Sequence, residues 1–103
     1  MSIQTCPTDV VAAPPERIWD MLARPEEFVR WTKMKLIEGP PRELAAGDRM
    51  VIGGLGLRIV FDVLAVERLR QLRLDVHLPF GITNHEVIQI SPAGDGRWRV
   101  TFN

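Results

Sequence analysis

A chain of 103 residues, 46% hydrophobic and 25% charged, can build one modest core and is too apolar to stay disordered, so residues 1–103 read as a single domain. Its 13 basic and 13 acidic residues cancel, and without a basic run there is no electrostatic footprint for a phosphate backbone, which argues against nucleic-acid binding. The one cysteine, Cys6, excludes an intrachain disulfide and fits a reducing compartment; with neither a secretory leader nor an apolar run of about 18 residues to make an integral membrane segment, the expected location is cytoplasmic.

In chain order, residues 2–12 read as a strand with Ile3, Val10 and Val11 as its apolar members, and Pro7 confines it to an edge or a bulge. AAPPERIWDMLA follows. Pro14 or Pro15 presets a first helical turn, Glu16 and Asp20 sit toward the positive end of the dipole, and Ile18, Met21 and Leu22 share a face with Trp19 at its flank. Pro25 ends that helix and opens a second, PEEFVRW, in which the three-residue spacing of Phe28 and Trp31 puts both on one side. Trp19, Phe28 and Trp31 are most simply core residues.

From Lys33 onward the period is that of strands: 33–38, 48–53, 57–68, 72–78, 82–90 and 97–103, separated by turn signals at GPPRELAAGD, GGLG, LRQ, PFG and SPAGDG. Short links between consecutive strands predict an antiparallel meander. If PFG is a three-residue hairpin loop, Leu78 faces Ile82, Val76 faces Asn84, Leu74 faces Glu86 and Leu72 faces Ile88. The same rule across SPAGDG pairs Ile90 with Trp98, Ile88 with Val100 and Glu86 with Phe102. One side of the sheet is then apolar, while Arg73, Asp75, His77, Arg97 and Arg99 point to solvent. Two short helices are a small cover for such a sheet, so something further is expected to lie on it.

Ala13-Pro14-Pro15-Glu16-Arg17-Ile18-Trp19, the Pro25–Trp31 helix and the Gly47-Asp48 turn into a strand resemble the SRPBCC superfamily, also called the START or polyketide cyclase/dehydrase-like fold. The resemblance covers essentially the whole chain. It implies an α+β helix-grip architecture in which a long C-terminal helix lies across the sheet and encloses a pocket for an apolar ligand. This sequence stops at Asn103 without that helix, and Arg24 stands where relatives often carry an acidic residue. The expectation is therefore a C-terminally truncated domain, or one whose lid comes from another chain.

The candidate ligand surface is formed by Leu72, Leu74 and Val76, by Ile88, and by Trp98, Val100 and Phe102, with Asn84 and Glu86 on the same face to orient the ligand. A carboxylate there could anchor a ligand hydroxyl or move a proton. His85-Glu86 does not make a metal site, because Gln89 stands where the H-E-x-x-H motif needs its second histidine and the segment is a strand. GGLGL lacks the third glycine of a dinucleotide fingerprint and reads as a turn. No metal or cofactor is expected, and two histidines on adjacent strands with one remote cysteine make no nucleophile–base–acid set. Phe80, at the tip of PFG, is a candidate for dipping into a membrane surface. Three functions fit: a binder of a small apolar or amphipathic molecule, lipid or polyketide-like; a polyketide cyclase/dehydrase-like enzyme using Glu86; or an interaction module whose uncovered sheet takes a partner helix or a second copy as a homodimer.

Overall fold

The computed structural model describes residues 8–102. They run β1 (Thr8–Val11), α1 (Pro15–Ala23), α2 (Pro25–Thr32), β2 (Lys35–Glu38), β3 (Arg49–Gly54), β4 (Leu57–Glu67), β5 (Gln71–Leu78), a single 3-10 turn at Pro79–Gly81, β6 (Ile82–Gly94) and β7 (Arg97–Phe102). Of the strand expected over 2–12, Ile3, Cys6 and Pro7 lie outside the described residues. Pro15 occupies the first helical position of α1, and Arg24, held extended before Pro25, ends α1 and caps α2. Lys33 turns left-handed at φ 60° and closes α2.

All seven strands form one antiparallel sheet in the order β1-β7-β6-β5-β4-β3-β2, with both helices packed on one face. The architecture is α+β, a strand and two short helices followed by an antiparallel meander, as the strand and proline pattern implies. β1 and β2 are the edges. Between β5 and β6 the register is the expected one, from Leu78 opposite Ile82 to Leu72 opposite Ile88. Between β6 and β7 it is not: Ile88 faces Phe102, Ile90 faces Val100 and Pro92 faces Trp98. The cause is local. β6 continues to Gly94, and the turn is only Asp95-Gly96, at φ 53° and 71°, the two-residue hairpin that suits the twist of paired strands. A displacement of two residues leaves every side chain on its expected face, because side chains alternate with a period of two.

The floor of Leu72, Leu74, Val76, Ile88, Ile90 and Val100 is buried against Ile18, Trp19, Leu22 and Phe28. Each buried aliphatic or aromatic side chain of this kind stabilises the fold by about 1.5–3 kcal/mol. The cover is more complete than two short helices alone would give, because the segment between β2 and β3 adds to it. Leu44 enters the core, its N–H bonds the carbonyl of Ala23 at 2.8 Å, and the Glu43 carboxylate accepts from the indole N–H of Trp19. Trp31, expected in the core, is instead 41% exposed at its margin, its indole N–H donating to the carbonyl of Met21 at 2.7 Å.

Candidate functional site

The helices leave one end of their sheet face open. A concavity of about 260 Å³ remains there, floored by Leu74, Val76 and Leu78 of β5 and by Asn84, Glu86 and Ile88 of β6, and walled by Phe28 of α2, Ile59 and Phe61 of β4 and Phe102 of β7. Alternation along β6 brings Asn84 and Glu86 into this apolar surround, because Ile88 and Ile90 of the same parity belong to the core. Glu86 is half-buried and Asn84 is exposed toward the mouth. A carboxylate and an amide here can accept or donate hydrogen bonds to one polar end of a ligand whose remainder lies against Ile59, Phe61 and Leu78.

Of the nine residues expected to form the ligand surface, six line this space: Leu74, Val76, Asn84, Glu86, Ile88 and Phe102. Leu72 is 1% exposed and is core. Val100 faces a second, smaller hollow of about 120 Å³ between β1, β7 and the helices, lined also by Asp9, Val11, Ile18, Met21, Leu22 and Trp31; Phe102 separates the two hollows. Trp98 packs partly buried against the core. Phe28, Ile59, Phe61 and Leu78 join the site although the sequence reading does not assign them to it. For Ile59 and Phe61 the alternation within LRIVFDV is the available signal; the approach of Phe28 to Phe61, with ring centroids 5.6 Å apart at 72°, needs the tertiary fold.

The opposite face carries a different constellation. Arg49 Nε bonds Asp62 Oδ1 at 2.9 Å, Asp62 Oδ2 lies 2.9 Å from His77 Nε2, and His77 Nδ1 lies 3.1 Å from Thr83 Oγ1. His85 pairs with Asp75 alongside. The hydrogen-bonded guanidinium of Arg49, assisted by His77, holds the Asp62 carboxyl below its ordinary range. A hydroxyl, an imidazole and a carboxylate are thus linked in series through Thr83, while Cys6, the thiol set aside as too remote from the histidines, lies outside the described residues. This series lies on the face away from both hollows and Thr83 is exposed, so neither hollow holds a substrate against it. Among the described residues, no group of three or more His, Cys, Asp and Glu side chains is arranged to hold a metal ion, and no helix is long and apolar enough to cross a membrane.

Neither a family model nor a curated protein matches the chain. Solved structures do. DynU16, a protein of the dynemicin biosynthetic locus, superposes with a TM-score of 0.78 at 17% identity, over 94% of this chain and 35% of its own length. The Aha1 dimer from Colwellia psychrerythraea gives 0.77 at 13% identity, over 94% of this chain and 71% of that one. Protein MLL2253 from Mesorhizobium loti gives 0.68 at 25% identity, over 94% and 76%. The helices, the seven strands and their order therefore form an arrangement shared with larger proteins, of which this chain spans part.

Proposed function

We propose that this chain, which has the helix-grip fold of the SRPBCC superfamily, binds a small apolar or amphipathic molecule in the concavity between α2 and strands β4 to β7. The observation that carries the reading is the composition of that concavity: eight apolar side chains and two polar ones, Asn84 and Glu86, adjacent on one strand. Its volume of about 260 Å³ lies just below the roughly 300–1,000 Å³ usual for small-molecule sites. The fitting ligand is therefore of fragment size, an aromatic ring system or a short acyl segment with one hydroxyl, carbonyl or carboxyl group directed to Asn84 and Glu86.

Titration calorimetry with panels of aromatic polyketide-like compounds and fatty acids tests this. The native protein is expected to bind members of one panel, and Ile59→Trp, which fills the hollow from the β4 side, to bind none. Equal binding by both proteins would remove the ligand from this site.

A catalytic reading, polyketide cyclase/dehydrase-like, is favoured by Glu86, a half-buried carboxylate among apolar side chains and so a candidate general base. The likeness to DynU16 supports the fold of that reading and no particular reaction. Chromatography of the incubated ligands discriminates: recovery unchanged favours a binder. Association as a homodimer is supported by the dimeric Colwellia relative, and sedimentation at high concentration measures it directly.

A further inference from the structure

The two ends of the sheet are built differently. Because the strands alternate in direction, the β3–β4 and β5–β6 turns lie at one end and the β4–β5 and β6–β7 turns at the other. At the second end the turn residues are Glu67, Arg68, Arg70 and Asp95, and the one large apolar residue there, Leu69, packs against the core. At the first end the turn apexes are Leu55, 100% exposed, and Phe80, 95% exposed, with Leu57 at 46% and Ile82 at 51% behind them.

Both apex residues stand at positive φ, 54° for Leu55 and 69° for Phe80, each followed by a glycine. Asn, Asp or Gly is the inexpensive occupant of such a position, and Asp95 holds the equivalent place in the β6–β7 turn. A large side chain there meets backbone strain and gains no packing inside the protein. Neither local conformation nor folding accounts for it at two separate turns of one end.

The charge distribution is equally uneven. The segments that build this end, residues 33–37, 51–61 and 76–85, contain Lys33, Lys35 and Arg58 and no aspartate or glutamate, although the whole chain is neutral. Pairing brings Lys35 opposite Gly53 and Gly53 opposite Arg58, so two cations flank the row just behind Leu55. Among the described residues, the ion pairs engage other arginines and the two histidines and leave these three cations out. The nearest acidic positions along the same strands are Glu38, Asp62, Asp75 and Glu86, the first beyond β2's bulge and the others further toward the sheet centre.

We propose that this end is a docking tip for an anionic lipid surface, with Leu55 and Phe80 inserted below the headgroups and Lys33, Lys35 and Arg58 at headgroup level. Apolar insertion and cation attraction act together, the pairing of two weak signals that peripheral attachment requires. The tip adjoins Leu78 and Asn84 at the mouth of the concavity, so an attached molecule faces that mouth toward the bilayer. Docking stands apart from the ligand proposal, since it needs no occupant in the concavity.

The test is co-sedimentation of the whole chain with vesicles of phosphatidylcholine alone and of phosphatidylcholine mixed with phosphatidylglycerol. Native protein is expected to bind the mixed vesicles, to bind the neutral ones far less, and to be released by added salt. The double variant Leu55→Ser/Phe80→Ser should bind the mixed vesicles about tenfold or more weakly. Lys35→Gln and Arg58→Gln should each lose roughly fivefold, with circular dichroism confirming that every variant is folded. Failure of the native protein to bind mixed vesicles, or equal binding by the apolar double variant, overturns the proposal. So does self-association that the double variant abolishes while vesicles stay unbound, which would assign the tip to contact between copies.

Discussion

Phe28 of α2 and Phe61 of β4 meet edge to face, 5.6 Å between ring centroids, and this contact fixes the helix over the sheet at the wall of the larger concavity. The same Phe28 ring meets Trp31 at 5.2 Å, so one side chain joins the core, the concavity and the margin of the smaller hollow. Edge-to-face pairs of this kind contribute about 0.5–1.5 kcal/mol beyond the area they bury.

Phe28→Ala is expected to destabilise the fold by about 3–5 kcal/mol, since it removes a buried ring and leaves a space that the rigid sheet cannot close. Urea denaturation reads the change. A loss below about 1 kcal/mol would mean that α2 is not held through this contact.

Trp19 is fully buried and donates its indole N–H to Glu43, which also pairs with Arg68 at 3.3 Å. Glu43→Ala leaves that N–H without its partner and should cost about 1–3 kcal/mol. Glu43→Gln, which still offers an acceptor, should cost less. Equal effects of the two substitutions would show that the bond does not anchor the β2–β3 segment.

Acid should weaken the protein through Asp48 and Asp62. Asp48 accepts from both terminal nitrogens of Arg42, at 2.6 and 2.9 Å, and from the amide of Ala45 at 2.7 Å; these bonds hold its carboxyl below the ordinary value of 3.8. Asp62 is depressed in the same direction by Arg49. A carboxyl whose folded pKa is depressed contributes stability above its unfolded pKa and loses it as pH falls through the folded value. Denaturation midpoints at a series of pH values should therefore drop below about pH 4, and the drop should be shallower in Arg42→Ala/Arg49→Ala, the two proteins converging in strong acid. Parallel profiles would contradict the assignment.

Glu86→Gln keeps the shape of the site and removes a charge. Its stability should stay within about 0.5 kcal/mol of the native protein, while affinity for the ligand class found by calorimetry changes about fivefold or more. Unchanged affinity would take Glu86 out of the site.

Much of this architecture is legible in the sequence, for reasons that differ by element. Pro15 and Pro25 mark the helix starts because a fixed φ suits a first turn, and Pro79-Phe80-Gly81 sets the β5–β6 register because its length leaves one pairing that keeps the leucines together. The β6–β7 register departs from expectation by two residues, because Ser91, Pro92 and Ala93 read as loop while the pairing continues through Pro92 and bulges before Gly94. Parity survives that displacement, so Val100 and Phe102 stand on the expected face, while Asn84 and Glu86 are placed by the β5–β6 register. Not legible are contacts made by folding: Glu43 reaching Trp19, Phe28 reaching Phe61, and Asp62 reaching His77 across the β4–β5 pairing. Each joins residues whose spacing carries no helical or strand period, and only the assembled sheet brings them together.

Ligand contact with the concavity is the central claim, and methyl-resolved NMR titration with a bound member of the panels reads it residue by residue. Shifts are predicted at Ile59, Leu74, Leu78 and Ile88 around the concavity, with Leu36, Ile37 and Leu64 unmoved. Shifts confined to those last three, or absent from the four lining residues at saturation, would contradict the proposed site.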